Sequence, residues 1–450
     1  MQKALLLLLG LFLFHPFSAA NAQSVLENYI QEGLENNRVL KEKNIELERS
    51  LLALKDAKSY FLPAMDFGAS YTLATGGRTI DFPIGDLLNP VYSTLNQLTG
   101  TTAFPQLENV SEQLLPDNFY DARFRASLPL INTDLVYQRQ IREKQVLLSE
   151  YELKIYRANL VQDIKLAYYN FCTAYTAIDV IQSSKALVDQ NLRDNQSLLA
   201  NGKGLPSAVL RAESEVENIT ALLIEAESRK RNAAHYVNFL LNRPIDAEVA
   251  FEPQQTDLAQ LAELMTEEDL SARPELLQIQ TAELIQETAL KAGKNYWVPK
   301  VNTFADMGSQ SFDWAFDQES RYLLWGFNLS VPVFQGGRNR NQIHRSELGL
   351  KSVQNQKALL NDKLSLDLQL TKNEVRANQA ALRSAEKKLE SSAAYFRLVD
   401  RGFREGANSL IEFIDARNQL TQASLQKTIN SYNLLKSLAQ LERQLILETY

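Results

Sequence analysis

The sequence predicts a mainly α-helical chain with a small β part, built from a helix, strand, strand, long helix, helix unit that occurs twice. Three observations carry this. Apolar or small residues recur every seven positions at Val146, Leu153, Leu160, Ala167, Ala174, Ile181 and Val188, with no Pro or Gly until Gly202. That spacing predicts one helix from about Leu135 to Ala200, roughly 100 Å long at 1.5 Å per residue. A second rod, about Asn339 to Arg404, repeats the step at Leu368, Val375, Leu382, Leu389 and Phe396. Finally, short segments of period two precede both rods, as strands with one apolar face require.

The first residues bear on the compartment. Lys3 gives a positive start, Leu5 to Phe17 is an apolar core too short for a bilayer span, and Ala20-Asn21-Ala22 offers small residues before Gln23. Residues 1–22 therefore read as a signal peptide, and the mature chain as exported. Beyond it no apolar run of 18 residues occurs, so any membrane span has to be a β-barrel. Cys172 is the single cysteine, which leaves no intrachain disulfide. With a net charge of -7 and both signs interspersed, no basic tract points to nucleic acid.

The first repeat is expected over 23–244. A helical pattern from Ser24 to Tyr60 stops at Tyr60-Phe61-Leu62-Pro63, because Pro63 disfavours the α region for the residue before it. From there a strand over about 63–74 places Met65, Phe67, Ala69, Tyr71 and Leu73 on one side and Asp66 on the other. Residues 74–118, rich in Gly and Pro, read as a long surface loop with short helical pieces near Leu87 to Leu98. In the strand over about 119–130, Tyr120, Ala122, Phe124, Ala126 and Leu128 alternate with Asp121, Arg123, Arg125 and Ser127. Ser127-Leu128-Pro129-Leu130 ends it and launches the long helix, 133–200, after which Gly202 and Pro206 mark a turn into the next helix.

Residues 245–272 read as a connector and 273–450 as the second repeat. Strands are expected over about 299–308, with Asn302 on the polar side, and about 321–333, with Asn328 likewise; the long helix follows over 338–404. The rods match in length: 73 positions separate Pro129 from Gly202, and 74 separate Pro332 from Gly406. Four strands per chain are too few to enclose a lumen, and a sheet with one polar and one apolar face needs water on one side and lipid on the other. Several copies must then close it, and three would give about twelve strands. Asp66, Asp121, Arg123, Arg125, Asn302 and Asn328 would face that lumen, where plain solvation of a wet interior is the simpler role.

The paired Tyr60-Phe61-Leu62-Pro63 and Tyr296-Trp297-Val298-Pro299, the exits Ser127-Leu128-Pro129-Leu130 and Ser330-Val331-Pro332-Val333-Phe334-Gln335-Gly336-Gly337, and Arg273-Pro274-Glu275-Leu276 resemble the TolC family of outer membrane efflux proteins. The resemblance spans essentially the whole mature chain. It implies a homotrimer, with a twelve-stranded barrel in outer membrane lipid continued by a periplasmic helical tunnel of roughly 100 Å. It also implies an inner-membrane pump and a periplasmic adaptor as partners, in efflux or type I secretion.

In that family, acidic residues just past the second-half turn narrow the periplasmic opening. The segment Phe403 to Ala416 matches it, which carries the role to Glu412 and Asp415, with Gly406 and Asn408 in the turn. Three copies would place six carboxylates in a ring that favours cations. Against this, Ser409-x-x-Glu412 is a capping box, and acids in a first helical turn need no function. The family commonly has an Arg near position 408, which this chain replaces with Asn408.

No enzyme and no cofactor is expected. His235 and His344 sit on separate predicted helices without a ligand cluster, and Gly336-Gly337 lacks the rest of a phosphate loop. An exported coiled-coil structural, adhesive or adaptor protein is the alternative, and the four amphipathic strands separate the two readings.

Overall fold

The computed structural model describes residues 24–254 and 258–445; the signal peptide expected at 1–22 lies outside the described residues. In chain order the elements are α1 (Val25–Asn36), α2 (Arg38–Ser59), β1 (Ala64–Thr72), β2 (Thr79–Phe82), α3 (Ile84–Thr99), β3 (Val110–Gln113), β4 (Phe119–Ile131), α4 (Thr133–Ala200), α5 (Pro206–Leu241), α6 (Leu258–Thr266), α7 (Pro274–Lys294), β5 (Lys300–Phe312), β6 (Arg321–Ser330), α8 (Arg338–Arg404) and α9 (Leu410–Leu445). They group into two compact units. One comprises 24–49, 147–283 and 352–445, and the other 50–146 and 284–351.

The first unit is helical. On α4 most residues of the seven-residue step go inside, Leu153, Leu160, Ala167, Ile181 and Val188 being buried and Ala174 half-buried, together with neighbours such as Ile164, Phe171 and Ile178. Around Leu160 and Tyr168 they meet Tyr29 and Ile30 of α1, Leu241 of α5 and Leu435 of α9 in the main core. Further along, Ile181 and Val188 pack with Ile219 and Ala226 of α5. On α8, Leu368 and Val375 join Leu434, Leu438 and Leu441 of α9. Cys172 is wholly enclosed, and burial pushes its thiol up to about 12.

Two features differ from the sequence pattern. The helix expected from Ser24 to Tyr60 is broken at Asn37, whose ψ of 127° leaves the helical range. Its Oδ1 accepts from the amides of Val39 and Leu40, both at 3.0 Å, and so caps α2. Its Nδ2 donates to the Leu240 carbonyl of α5 at 3.1 Å, a partner no local pattern could reveal. The expected connector 245–272 contains α6, which exists because Leu261 and Leu264 find the apolar stripe of α8 and α9 to bury against.

The start of α7 explains Arg273-Pro274-Glu275. Arg273, nearly enclosed, donates to Glu275 at 3.1 and 3.2 Å and to Gln444, while Arg443 of α9 donates to the same carboxylate. Burial raises the Glu275 pKa, but hydrogen bonds from Arg273 and Arg443 outweigh it and leave the group below the usual glutamate range.

The second unit holds a four-stranded antiparallel sheet in the order β1-β4-β5-β6. Its register is continuous across the strands: Asp66 lies opposite Arg125, Arg125 opposite Asp306, and Asp306 opposite Leu324. A register shift between Pro129 and Ile131 ends the regular pairing of β4, where Pro129 lacks the amide a ladder needs. Residues 74–118 are not an open loop: a β2–β3 hairpin and the 16-residue α3 fold there. Among the described residues, no helix is long and apolar enough to cross a membrane.

Because the Glu275 pKa is depressed in the folded chain, its contribution is present above the ordinary carboxylate value and is lost as pH falls through the lowered one. Glu275→Gln should therefore lower the thermal unfolding midpoint at pH 7, by an amount on the order of 3 kcal/mol. Its deficit against wild type should shrink in acid; an equal deficit at all pH values would contradict the ion-pair account.

Candidate functional site

Alternation along four paired strands sorts the sheet into two chemically distinct faces. Asp66, Asp121, Arg123, Arg125, Asn302 and Asn328, the six expected lumen residues, all fall on one face by register. Met65, Phe67, Phe124, Met307, Leu323, Trp325, Phe327 and Leu329 fall on the other, and they are exposed: Leu323 is 73% and Trp325 67% accessible. No soluble chain gains from presenting such a row to water.

The polar face is cross-linked by charge. Arg125 donates two parallel bonds to Asp306, Nε to Oδ1 at 2.7 Å and Nη2 to Oδ2 at 2.6 Å, and its guanidinium lies 5.2 Å from the Phe304 ring centroid. Arg123 pairs with Asp121, and the Tyr322 hydroxyl donates to Asp121 Oδ1 at 2.9 Å. Asp306 is only 2% accessible although it sits on the polar face, because Arg125 and the neighbouring strands cover it. Asp306 and Tyr322 join this network although neither was among the expected lumen residues; Asp306 alternates with Met307 in the sequence, and the alternation of Tyr322 with Leu323 was the available signal for the other.

At the end of the sheet where β1 leads into β2, aromatic side chains gather. Tyr71 and Trp314 have ring centroids 4.7 Å apart, Tyr120 and Phe316 4.6 Å, and Tyr120 stacks on Trp314 at an interplanar angle of 8°. Asn118 and Asp313, both left-handed, are joined side chain to side chain there. Val333 and Phe334, beyond β6, are almost fully exposed. Aromatic and apolar side chains at strand ends are how a spanning sheet meets the two water boundaries of a bilayer.

The turn between α8 and α9 belongs to the helical unit. Gly406 has φ +80°, so a side chain there would be strained, and the Ala407 and Asn408 amides both donate to the Gly402 carbonyl. A Cβ on Gly402 would lie 1.9 Å from Asn408 Oδ1, so a side chain there would require the Asn408 amide to turn aside. Ser409 Oγ accepts from the Glu412 amide at 3.2 Å while Glu412 Oε2 accepts from the Ser409 amide at 2.7 Å, closing the capping box. Asn408 Nδ2 adds a bond to the same oxygen at 3.3 Å. The Ser409 amide first, then the Asn408 and Ser409 side chains, hold the exposed Glu412 carboxyl below the usual glutamate range.

Asp415, one turn further and also exposed, accepts from Gln419 Nε2 at 2.7 Å. Beneath them Phe413, Ile414 and Val399 form a small core. Arg417, 3% accessible, reaches Glu215 of α5 at 2.8 Å, and Arg211 holds the other oxygen of Glu215 at 2.9 Å. Glu412 and Asp415 are thus fixed to one rigid helix start, with both carboxylates open to solvent. Among the described residues no group of His, Cys, Asp and Glu could hold a metal ion.

Removing Arg125 would leave Asp306 without its guanidinium partner. Arg125→Leu should destabilise the sheet, read as a lower thermal midpoint, and Asp306→Asn in that background should recover part of the loss. Equal midpoints for all three proteins would show that the pair contributes nothing.

Comparison with known proteins places this architecture. Residues 266–445 match the family model of outer membrane efflux proteins. Outer membrane protein TolC of Escherichia coli K12 is 18% identical over 465 residues, covering 99% of this chain and 88% of that protein. The probable efflux pump outer membrane protein TtgC of Pseudomonas putida is 24% identical over 303 residues, 62% of this chain and 60% of its own length. Among solved structures, the outer-membrane channel OprN superposes with a TM-score of 0.76 at 16% identity, covering 94% of this chain and 89% of that one. The CmeC outer membrane channel of Campylobacter jejuni gives 0.74 at 14% identity, with 94% and 85% covered. Family match, relatives and fold agree with the motifs quoted above, and over nearly its whole length the chain is similar to the TolC-family outer membrane efflux proteins.

Proposed function

We propose that the chain is the outer membrane exit duct of an efflux or type I secretion system, with no catalytic step of its own. The sheet carries this reading: one face is apolar and exposed, the other is polar and ion-paired, and both edges are open. A sheet of that kind is stable only with lipid on one face, water on the other and further strands on each edge.

Three copies supply twelve strands, with β1 of each paired to β6 of the next. The exposed apolar residues of α8, among them Leu359, Leu366, Leu370 and Leu398, are then available to helices of neighbouring copies in a periplasmic tunnel. An inner-membrane pump and a periplasmic adaptor feed that tunnel, and the pump selects the cargo. The coiled-coil structural or adaptor alternative has no use for the sheet.

The turn at Gly406 is the periplasmic opening. Glu412 and Asp415 from three copies form a carboxylate ring that attracts cations, held in place by the Ser409 cap and the Phe413 core. The capping box and the gate are compatible roles for Glu412: one oxygen serves the helix end, and the charge remains exposed.

Purified protein reconstituted in planar bilayers should conduct discrete steps with a preference for cations. Glu412→Gln with Asp415→Asn should reduce that preference several-fold in the cation to anion permeability ratio. Conducting protein whose selectivity is unchanged in the double variant would move the gate elsewhere; absence of any conductance, with the protein recovered in the soluble periplasmic fraction, would overturn the duct.

A further inference from the structure

Segment 74–118 folds on its own backbone in an unusual way. The face of α3 made by Gly85, Asn89, Tyr92 and Asn96 is turned inward on the chain stretch 104–109. Asn89 donates to the Leu107 carbonyl at 2.8 Å and accepts from its amide at 2.7 Å; Asn96 makes the same pair of bonds to Phe104, at 2.7 and 3.0 Å. Gly85 lies so close that a Cβ would sit 2.4 Å from the Leu107 carbonyl oxygen. Both asparagines of the helix are committed to its own loop.

Beside the exposed polar Asp86, Ser93, Thr94 and Gln97, the helix presents an apolar row to the outside. Ile84, Leu87, Leu88, Val91 and Leu98 are exposed, Leu87 by 68% and Leu98 by 78%. Ile84, Val91 and Leu98 are spaced by seven, with Leu87 and Leu88 between them, which is the seam of a coiled coil with β-branched residues at two of its three repeat positions. Among the residues of 74–118, Arg78 is the single base against Asp81, Asp86, Glu108, Glu112 and Asp117. A helix that lies on an anionic membrane surface carries Lys and Arg on its polar side, and α3 has neither. The segment also leaves β1, an open edge that another copy must cover.

We propose that α3 docks through Ile84, Leu87, Val91 and Leu98 onto the α3 helices of the neighbouring copies, forming a three-helix clasp at the outer end of the barrel. This rests on the three-copy duct. The clasp buries the seam, ties the copies together outside the membrane and narrows the external mouth.

Val91→Cys tests it by oxidation in isolated outer membranes, since Cys172 is enclosed and silent. Two of three thiols per trimer should join, giving a covalent dimer on denaturing gels, whereas Ser93→Cys on a third face of α3 should stay uncrosslinked. The same samples run unheated report the trimer. Trimers in which Val91→Cys does not link, or in which Ser93→Cys links equally, overturn the clasp and leave the duct standing; absence of trimers overturns both. As an independent measure, Leu87→Ser, Val91→Ser and Leu98→Ser together should lower the temperature at which the trimer dissociates. An unchanged temperature, or quenching of a Val91→Cys fluorophore by lipid-borne spin labels in the intact trimer, would also overturn it.

Discussion

An antiparallel sheet ends where its last strand has no partner, and here both ends do: among the described residues β1 pairs only with β4, and β6 only with β5. In water an open edge costs little, since solvent satisfies the free amides and carbonyls. In hydrocarbon each such group costs several kcal/mol. The exposed row from Phe67 to Leu329 asks for hydrocarbon, and the edges forbid it to a single chain. That conflict is resolved only by more copies, and the remaining features of the sheet are intelligible once it is.

The charged residues of the other face follow from the same constraint. Arg125 and Asp306 neutralise each other across adjacent strands, and Asp121 is shared by Arg123 and Tyr322. Water tolerates these groups, and pairing lets them brace strands without a hydrophobic core between them. In the helical unit the corresponding work is done by packing. The seven-residue stripe of α4 goes inside, while ion pairs such as Arg417 with Glu215 and Arg273 with Glu275 sit where burial would otherwise leave a lone charge.

Much of the architecture was legible in the sequence because it is periodic. A period of seven over Val146 to Val188, and of two over Tyr120 to Leu128, are local signals, and they mark the residues that the structure buries or turns to one side. Contacts made across long separations were not legible. Asn37 looks like an ordinary helix residue until the Leu240 carbonyl is placed beside it, and α6 looks like a linker until α8 and α9 offer it a surface. The candidate turn was half visible: the Ser409 and Glu412 cap is a sequence signature. The crowding of Gly402 by the Asn408 side chain shows only once the turn is folded, and the anchoring of Arg417 depends on a carboxylate 202 positions away.

The most direct test is whether the two edges are in fact paired. Hydrogen–deuterium exchange on the mature protein, extracted in mild detergent, reads this strand by strand. Amides along Ala64–Thr72 and Arg321–Ser330, including those turned away from β4 and β5, should exchange as slowly as those of the two central strands. Rapid exchange of every second amide on both edges, beside a protected centre, would mean that no neighbouring copy closes the sheet.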